Sequence, residues 1–288
     1  MTSSFSLTSN GVAVPFDGQH FAPLPDSSML LHDRDALQAR YREDGYLYLK
    51  GVLDPDRVMT MRDAYFSLFD RSYLRPGTAP RDGIYSGRRD PRLPAHGVPG
   101  HPAHAFVRSA VFGTFAATPA LADLASAVLG GPVRRLPRAI VRHFDRSHPA
   151  ASRAHVDYSY LDAGSDELVT VWIPLGDCPR PTGGLVYLEG THELAGGSFD
   201  RVRTVTDRPA DRRAISHDLA WVSDQLGRRW RWADYAAGDV TVHSPHIVHA
   251  SLDTTTDAMR LSADVRFLRA GQAADARWLT AWAGDDGN

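Results

Sequence analysis

The stretch GDVTVHSPHIVHAS, residues 238–251, decides the fold. Val240 and Val242 alternate with Thr241 and His243, the period of two that belongs to a β-strand. Pro245 has no N–H to give a ladder and breaks the run. Beyond it a second short strand resumes, with His249 and Ser251 on one face. Working outward, similar short apolar runs bounded by Gly, Pro or Asp recur at 138–144, 155–160, 168–175, 184–188, 239–243, 247–252 and 259–268. Strands this short, separated by turn signals, predict a mainly β fold, a sandwich or a barrel.

The first part of the chain reads differently. Residues 1–32 are rich in Ser, Pro and Gly and read as an N-terminal arm. Asp33 to Asp44 is helical, with Leu37 and Tyr41 four apart, and Gly45 ends it. Tyr46–Leu49 reads as a strand, and Asp54-Pro55 opens a helix running to about Phe69. Residues 75–104 form a long loop of the kind that often carries function. Thr118-Pro119 opens a further helix that stops near Leu129, before Gly130-Gly131. The expected organisation is one domain over 1–288. It comprises the arm (1–32), a helical lead-in and substrate loop (33–131), a β core (132–270) interrupted by a lid or helical insert (194–236), and a C-terminal tail (271–288).

Composition narrows the class. The 288 residues are 43% hydrophobic with a formal charge of −2, which suits a globular chain and gives no global field toward nucleic acid or anionic membrane. No apolar run has the length of a bilayer span, and the N-terminus does not read as a signal peptide. The single cysteine, Cys178, permits no intrachain disulfide and reads as a small buried apolar residue. The cytoplasm is the expected compartment. Of 32 basic side chains only Lys50 is a lysine, a bias that resembles high-GC coding more than a functional choice. Nothing in the chain decides its oligomeric state.

His155-Val156-Asp157 sets an imidazole and a carboxylate at i and i+2, on one face if the segment is a strand. Those two ligand types with one further His form the facial set that leaves positions open on a divalent iron. Taken alone the motif is weak, and the chain has a second copy, His143-Phe144-Asp145. His243, His246 and His249 compete for the distal ligand position, and His249 has Ser251 on its face. Arg260 follows, between apolar Met259 and Leu261 and on one face with Ser262. A cation beside a hydroxyl is a natural seat for a carboxylate.

In this order the pieces resemble the phytanoyl-CoA dioxygenase family of 2-oxoglutarate oxygenases. The resemblance runs over about 33–270. It includes Tyr41-Arg-Glu-Asp-Gly45, the motif at 155–157, Val171-Trp172-Ile-Pro-Leu175, Thr182-Gly183-Gly184, Glu189-Gly-Thr-His192, Gly238-Asp239, His249-x-Ser251 and Arg260. It implies a double-stranded β-helix, or jelly roll, with helices packed outside. It implies that His155, Asp157 and His249 hold Fe(II). Arg260 and Ser251 would contact the carboxylate of 2-oxoglutarate, and Trp172 would line the co-substrate pocket. His192 matches a family position that is not a ligand, and His143, His217, His243 and His246 have no ligand counterpart. Related halogenases lack the carboxylate ligand, so the presence of Asp157 speaks against halogenation.

The implied reaction consumes 2-oxoglutarate and dioxygen and oxidises a C–H bond of a small-molecule substrate. Hydroxylation is the default outcome; cyclisation, desaturation and epimerisation share its first steps. Arg81, Tyr85, Arg88, Arg89, Trp221, Trp230 and Trp232, from 75–104 and 194–236, are expected near the mouth. There they would suit a polar or sugar-bearing secondary metabolite. Two other readings of the same barrel are a zinc hydrolase or isomerase and a non-catalytic binding protein. Arg260 and Ser251 weigh against the first, because a zinc–water site needs no second carboxylate seat.

Overall fold

The N-terminal segment is built into the fold and is not an irregular arm. In the computed structural model, which describes residues 7–147, 151–194, 202, 204–211 and 213–284, β1 (Thr8–Ser9) and β2 (Val12–Ala13) form a hairpin. Then β3 (Phe21–Pro23) pairs in parallel with Trp230–Trp232. The apolar side chains of Leu7, Val14 and Phe21 explain this: they are buried in one cluster with Val186, Leu219 and Trp230.

The lead-in helices form where capping chemistry marks them. The Asp33 carboxylate accepts the N–H of Ala36 to start α1 (Arg34–Asp44), and Gly45 at φ +74° ends it. Asp54 and Pro55 start α2 (Pro55–Phe66). After α3 (Pro102–Val107), an unexpected α4 (Ala110–Ala116) precedes α5 (Pro119–Leu129). Ser109 caps α4, and its Phe112 and Phe115 are buried. The 75–104 loop is ordered by Arg62 of α2. That guanidinium donates to the carbonyls of Arg81, Asp82, Leu175 and Met259. Among the described residues no single helix is long and apolar enough to cross a membrane.

The strands form two sheets facing each other. The remaining ones are β4 (Tyr46–Leu49), β5 (Val133–Arg135), β6 (Ile140–Phe144), β7 (Leu168–Pro174), β8 (Leu185–Leu188), β9 (Trp230–Trp232), β10 (Val240–His243), β11 (His249–Ser251) and β12 (Arg260–Arg269). The larger sheet runs β4-β10-β7-β12, with β6 and β5 pairing successive parts of β12. The smaller runs β11-β8-β9-β3. This is the jelly roll with outer helices.

The period of two sorts the side chains. Leu261, Ala263, Val265 and Phe267 of β12, Val169, Val171 and Ile173 of β7, and Val240 and Val242 of β10 join the core cluster beneath the helices. The alternate positions carry Arg260, Ser262, Asp264 and Arg266, Thr170 and Trp172, and Thr241 and His243, all outside that cluster yet buried. From the smaller sheet Tyr187 meets them: its hydroxyl lies 2.6 Å from Thr241 Oγ1 and 3.1 Å from His243 Nδ1. The space between the sheets is therefore polar, which is what a site requires.

Three expectations need correction. Residues 155–160 are not a strand: His155 makes an isolated bridge to His249, and a 3-10 turn, Asp157–Tyr160, follows at once. The N–H of Tyr158 goes to the Pro245 carbonyl instead of a ladder. The 194–236 insert holds α6 (Leu219–Leu226) but also β9, so it is partly a strand of the smaller sheet. Trp230 lies fully buried, donating to the Leu219 carbonyl, instead of at the mouth. Residues 195–201, 203 and 212 of that insert lie outside the described residues. Third, 271–284 is not a loose tail: Trp278 and Trp282 are buried in the main core.

Candidate metal centre

Three acceptor atoms converge between the sheets. β11 presents His249, the bridge beside it presents His155, and the 3-10 turn presents Asp157. One ligand atom from each lies within 4.8 Å of the others. Asp157 Oδ1 is 3.8 Å from His155 Nε2 and 3.8 Å from His249 Nε2. The expected same-face geometry survives although the strand does not, because only Val156 needs to be extended, at φ −115° and ψ 137°.

Hydrogen bonds decide which atoms are offered. His155 Nδ1 donates to the Arg153 carbonyl at 2.7 Å, and His249 Nδ1 to the Ile247 carbonyl at 3.1 Å. Each bond places the proton on Nδ1 and leaves an Nε2 lone pair toward Asp157, the arrangement that orients a metal-bound imidazole. Burial holds both imidazoles below the usual histidine range, His249 well below it. The Asp157 carboxylate is divided. Thr170 Oγ1 (2.7 Å) and Arg266 Nη2 (2.9 Å) both donate to Oδ2, and among the described residues Oδ1 receives no donor. Burial would raise this carboxyl, but the Arg266 guanidinium outweighs it and keeps it well below the usual range. Two neutral imidazoles and one carboxylate oxygen without a proton between them fit a divalent cation.

The expected co-substrate seat can be tested in the same way. Arg260 is fully buried, stacks on Phe144 with its guanidinium carbon 4.7 Å from the ring centroid, and donates to the Gly183 carbonyl (2.9 Å) and Ser262 Oγ (3.1 Å). Burial pushes its pKa down to about 10, so it stays charged at neutral pH. Among the described residues Arg260 Nε and Trp172 Nε1 are buried donors without an acceptor, and the guanidinium carbon lies 5.6 Å from the Trp172 ring centroid. Buried donors are normally satisfied, so these two fit an anionic acceptor that belongs between them. Ser251 is buried on the strand of His249 and accepts the Ser152 N–H at 2.6 Å. The hydroxyl bonded to Arg260 is that of Ser262.

The other histidines lie elsewhere. His143 is held by two tyrosines, Tyr65 O–H on Nδ1 (3.2 Å) and Tyr73 on Nε2 (2.7 Å), and Tyr73 donates to Asp145 (2.5 Å). That occupies the second H-x-D. His246 pairs with Asp166, and His192 with the Arg42 carbonyl. His243 stands behind the centre, its Nε2 3.6 Å from Asp157 Oδ2. A cavity of about 390 Å³ opens from His155 and Asp157, walled by Arg142, Arg153, Tyr160, Ala214 and Trp278 among others. Arg266, Thr170 and the C-terminal Trp278 are the neighbours that sequence reasoning missed. Arg266 lay in view two positions along the face shared by Arg260 and Ser262, whereas nothing local to Trp278 marks it.

A second cavity of about 400 Å³ adjoins the first across Arg142 and Ser152, and includes Tyr73, Arg89, His101 and Asp145. From the 75–104 loop Arg89 therefore reaches a cavity, whereas Trp232 packs on Phe16 and Arg180.

The sequence profile of the family described as Phytanoyl-CoA dioxygenase (PhyH) matches residues 41–262. Over 273 residues, covering 91% of this chain and 90% of the relative, 27% are identical to a 1-deoxypentalenic acid 11-beta-hydroxylase of Streptomyces arenae. The fold is similar to that of the epimerase SnoN in complex with Fe3+, alpha ketoglutarate and nogalamycin RO. That match has a TM-score of 0.59 and 23% identity, over 84% of this chain and 86% of that one. It is similar also to the carbocyclase SnoK from nogalamycin biosynthesis, with a TM-score of 0.55 and 19% identity over 87% and 88%.

Proposed function

This chain belongs to the phytanoyl-CoA dioxygenase family, and from that premise we propose that it is an Fe(II)- and 2-oxoglutarate-dependent oxygenase that oxidises a C–H bond of a small natural product. The observation that carries the reading is the set of three proton-free acceptors, His155 Nε2, His249 Nε2 and Asp157 Oδ1, together with the buried Arg260 on the inward face of β12. Residues 1–288 are read as one oxygenase domain. A relative that is a 1-deoxypentalenic acid 11-beta-hydroxylase and a structural neighbour from nogalamycin biosynthesis favour a tailoring role.

Held by His155, Asp157 and His249, iron(II) with 2-oxoglutarate and dioxygen would supply the oxidising power needed to remove hydrogen from a substrate carbon. The chain's own groups hold and exclude. His155 and His249 offer Nε2 because Nδ1 is committed to the backbone. Thr170 and Arg266 restrain Asp157 so that Oδ1 is offered. Arg260, with Trp172 and the hydroxyls of Ser262 and Ser251, receives the far carboxylate of 2-oxoglutarate in a desolvated seat. The cavity walls fix which C–H bond comes within reach, and hydroxylation is the default outcome.

Anaerobic titration of Fe(II) and then 2-oxoglutarate tests this through the visible metal-to-ligand charge-transfer band. Arg260→Ala strands a carboxylate in a buried site, a loss of about 3–5 kcal/mol, or roughly a hundredfold or more in 2-oxoglutarate affinity, with little change for iron. Arg260→Lys recovers part, keeping the charge but losing the planar fork. Unchanged 2-oxoglutarate affinity in Arg260→Ala would remove the basis for the co-substrate.

A further inference from the structure

Among the described residues, the cavity at the candidate metal centre is lined by five arginines, Arg138, Arg142, Arg153, Arg266 and Arg277, and one carboxylate, Asp157. These arginines are not accounted for by the co-substrate, whose far end is matched to Arg260. Three of the five are committed: Arg266 to Asp157, Arg153 to Asp207, and Arg277 to Asp275 and Asp162. Arg138 is nearly buried beside the Trp278 ring and reaches the Arg277 carbonyl.

Arg142 stands apart. It lies on β6 opposite Ser262 of β12, between the inward residues Ile140 and Phe144. Its charged neighbour is Asp264, and the Nε to Oδ2 separation of 3.7 Å exceeds a hydrogen bond. The guanidinium is partly exposed and forms wall in both cavities. Ile140, Ala214 and Trp278 give the same cavity an apolar surface.

We propose that Arg142 is the seat for a carboxylate carried by the organic substrate, so that this enzyme acts on a compact apolar acid and selects it over its neutral analogues. The inference rests on the reading of the site as an oxygenase centre with its co-substrate at Arg260. The chemistry follows from one planar fork that faces both cavities without a hydrogen-bonded carboxylate of its own: a single guanidinium matches a monoanionic carboxylate in charge and in geometry. Asp157 is held by Arg266 and offered to a dication, so it does not occupy Arg142. A cationic substrate would meet the Arg142 guanidinium as like charge.

The test uses adamantane-1-carboxylate and adamantane-1-carboxamide, two cages of one shape that differ in charge. Each is titrated calorimetrically into the full chain, metal-free and then loaded anaerobically with Fe(II) and 2-oxoglutarate. The wild type should bind the carboxylate at least tenfold tighter than the carboxamide. Arg142→Gln should abolish that preference, Arg142→Lys should keep part of it, and 2-oxoglutarate affinity should stay within twofold in both. Thermal melting of both variants checks that the fold is intact. Absence of a carboxylate preference in the wild type, including binding of neither cage, overturns the proposal. So does a preference that survives in Arg142→Gln. Weakened 2-oxoglutarate binding in Arg142→Gln would instead assign Arg142 to the co-substrate. A wild type that binds neither iron nor 2-oxoglutarate fails the oxygenase reading separately, because the metal-free titration still measures the carboxylate preference.

Discussion

Asp157 shows how a single side chain is prepared for its role by neighbours that never touch the metal position. Two donors on Oδ2 leave Oδ1 as the free acceptor, and the buried Arg266 cation keeps the carboxyl ionised. Removing that cation leaves a buried anion without its partner. Arg266→Met should therefore lower divalent-metal affinity by roughly 10–100-fold, the usual effect of losing a partner behind a ligand. Arg266→Lys should restore part of it. Calorimetric titration of Co(II) measures this, and equal affinities would show that Thr170 alone suffices. The histidines separate in the same assay. His249→Ala should lose stoichiometric metal, whereas His246→Ala should keep it, since His246 is paired with Asp166 away from the centre. His243→Ala should also keep it, because His243 faces the Oδ2 side of Asp157. Metal retained in full by the His249 variant would reject the ligand set.

At the scale of elements, short-range signals were the readable ones. Asp33, Gly45, Asp54 and Pro55 mark helix ends through local hydrogen bonds and φ values, and the structure places the ends there. The alternation in 240–243, 249–251 and 260–268 is equally local, so the strands and their inward faces were legible. What failed depends on distant partners. His155–Tyr160 alternates like a strand, but the ladder it would need is absent beyond residue 155, and the chain turns to meet Pro245. β9 and β3 pair across more than two hundred residues, which no local pattern reports. Gly183 joins the two kinds of information. It holds φ +93°, and a Cβ there would lie 2.5 Å from the Leu252 carbonyl oxygen, while its own carbonyl accepts Arg260. Gly183→Ala should cost about 1–3 kcal/mol from backbone strain alone. It should also weaken 2-oxoglutarate more than metal, since the loop it displaces holds the Arg260 fork. A lower melting temperature with unaltered 2-oxoglutarate affinity would separate the loop from the seat.

Across the whole molecule, the C-terminal segment ties the helical core to the centre. The N–H of Ser165 goes to the Ala273 carbonyl, Arg277 pairs with Asp162, and Trp278 Nε1 donates to the Tyr160 carbonyl at 2.9 Å. These contacts anchor the turn that begins at Asp157. Trp278 also lies under Arg266, with the guanidinium carbon 4.2 Å from the ring centroid. Trp282 is also buried, more deeply than Trp278, but packs on His96 and His104, away from that turn. The two tryptophans therefore make a matched pair. Replacing either by Ala should cost about 3–5 kcal/mol. At about 2–4 °C per kcal/mol for domains of a couple of hundred residues, each melting temperature should fall by roughly 6–20 °C. Only Trp278→Ala should also reduce metal affinity, because it loosens both the Asp157 turn and Arg266. Melting curves and Co(II) titration at a temperature where both variants are folded distinguish the cases. If the two lose metal affinity equally, the centre responds to global stability and the link through 271–282 is not specific. If Trp278→Ala alone loses it, the end of the chain belongs to the site.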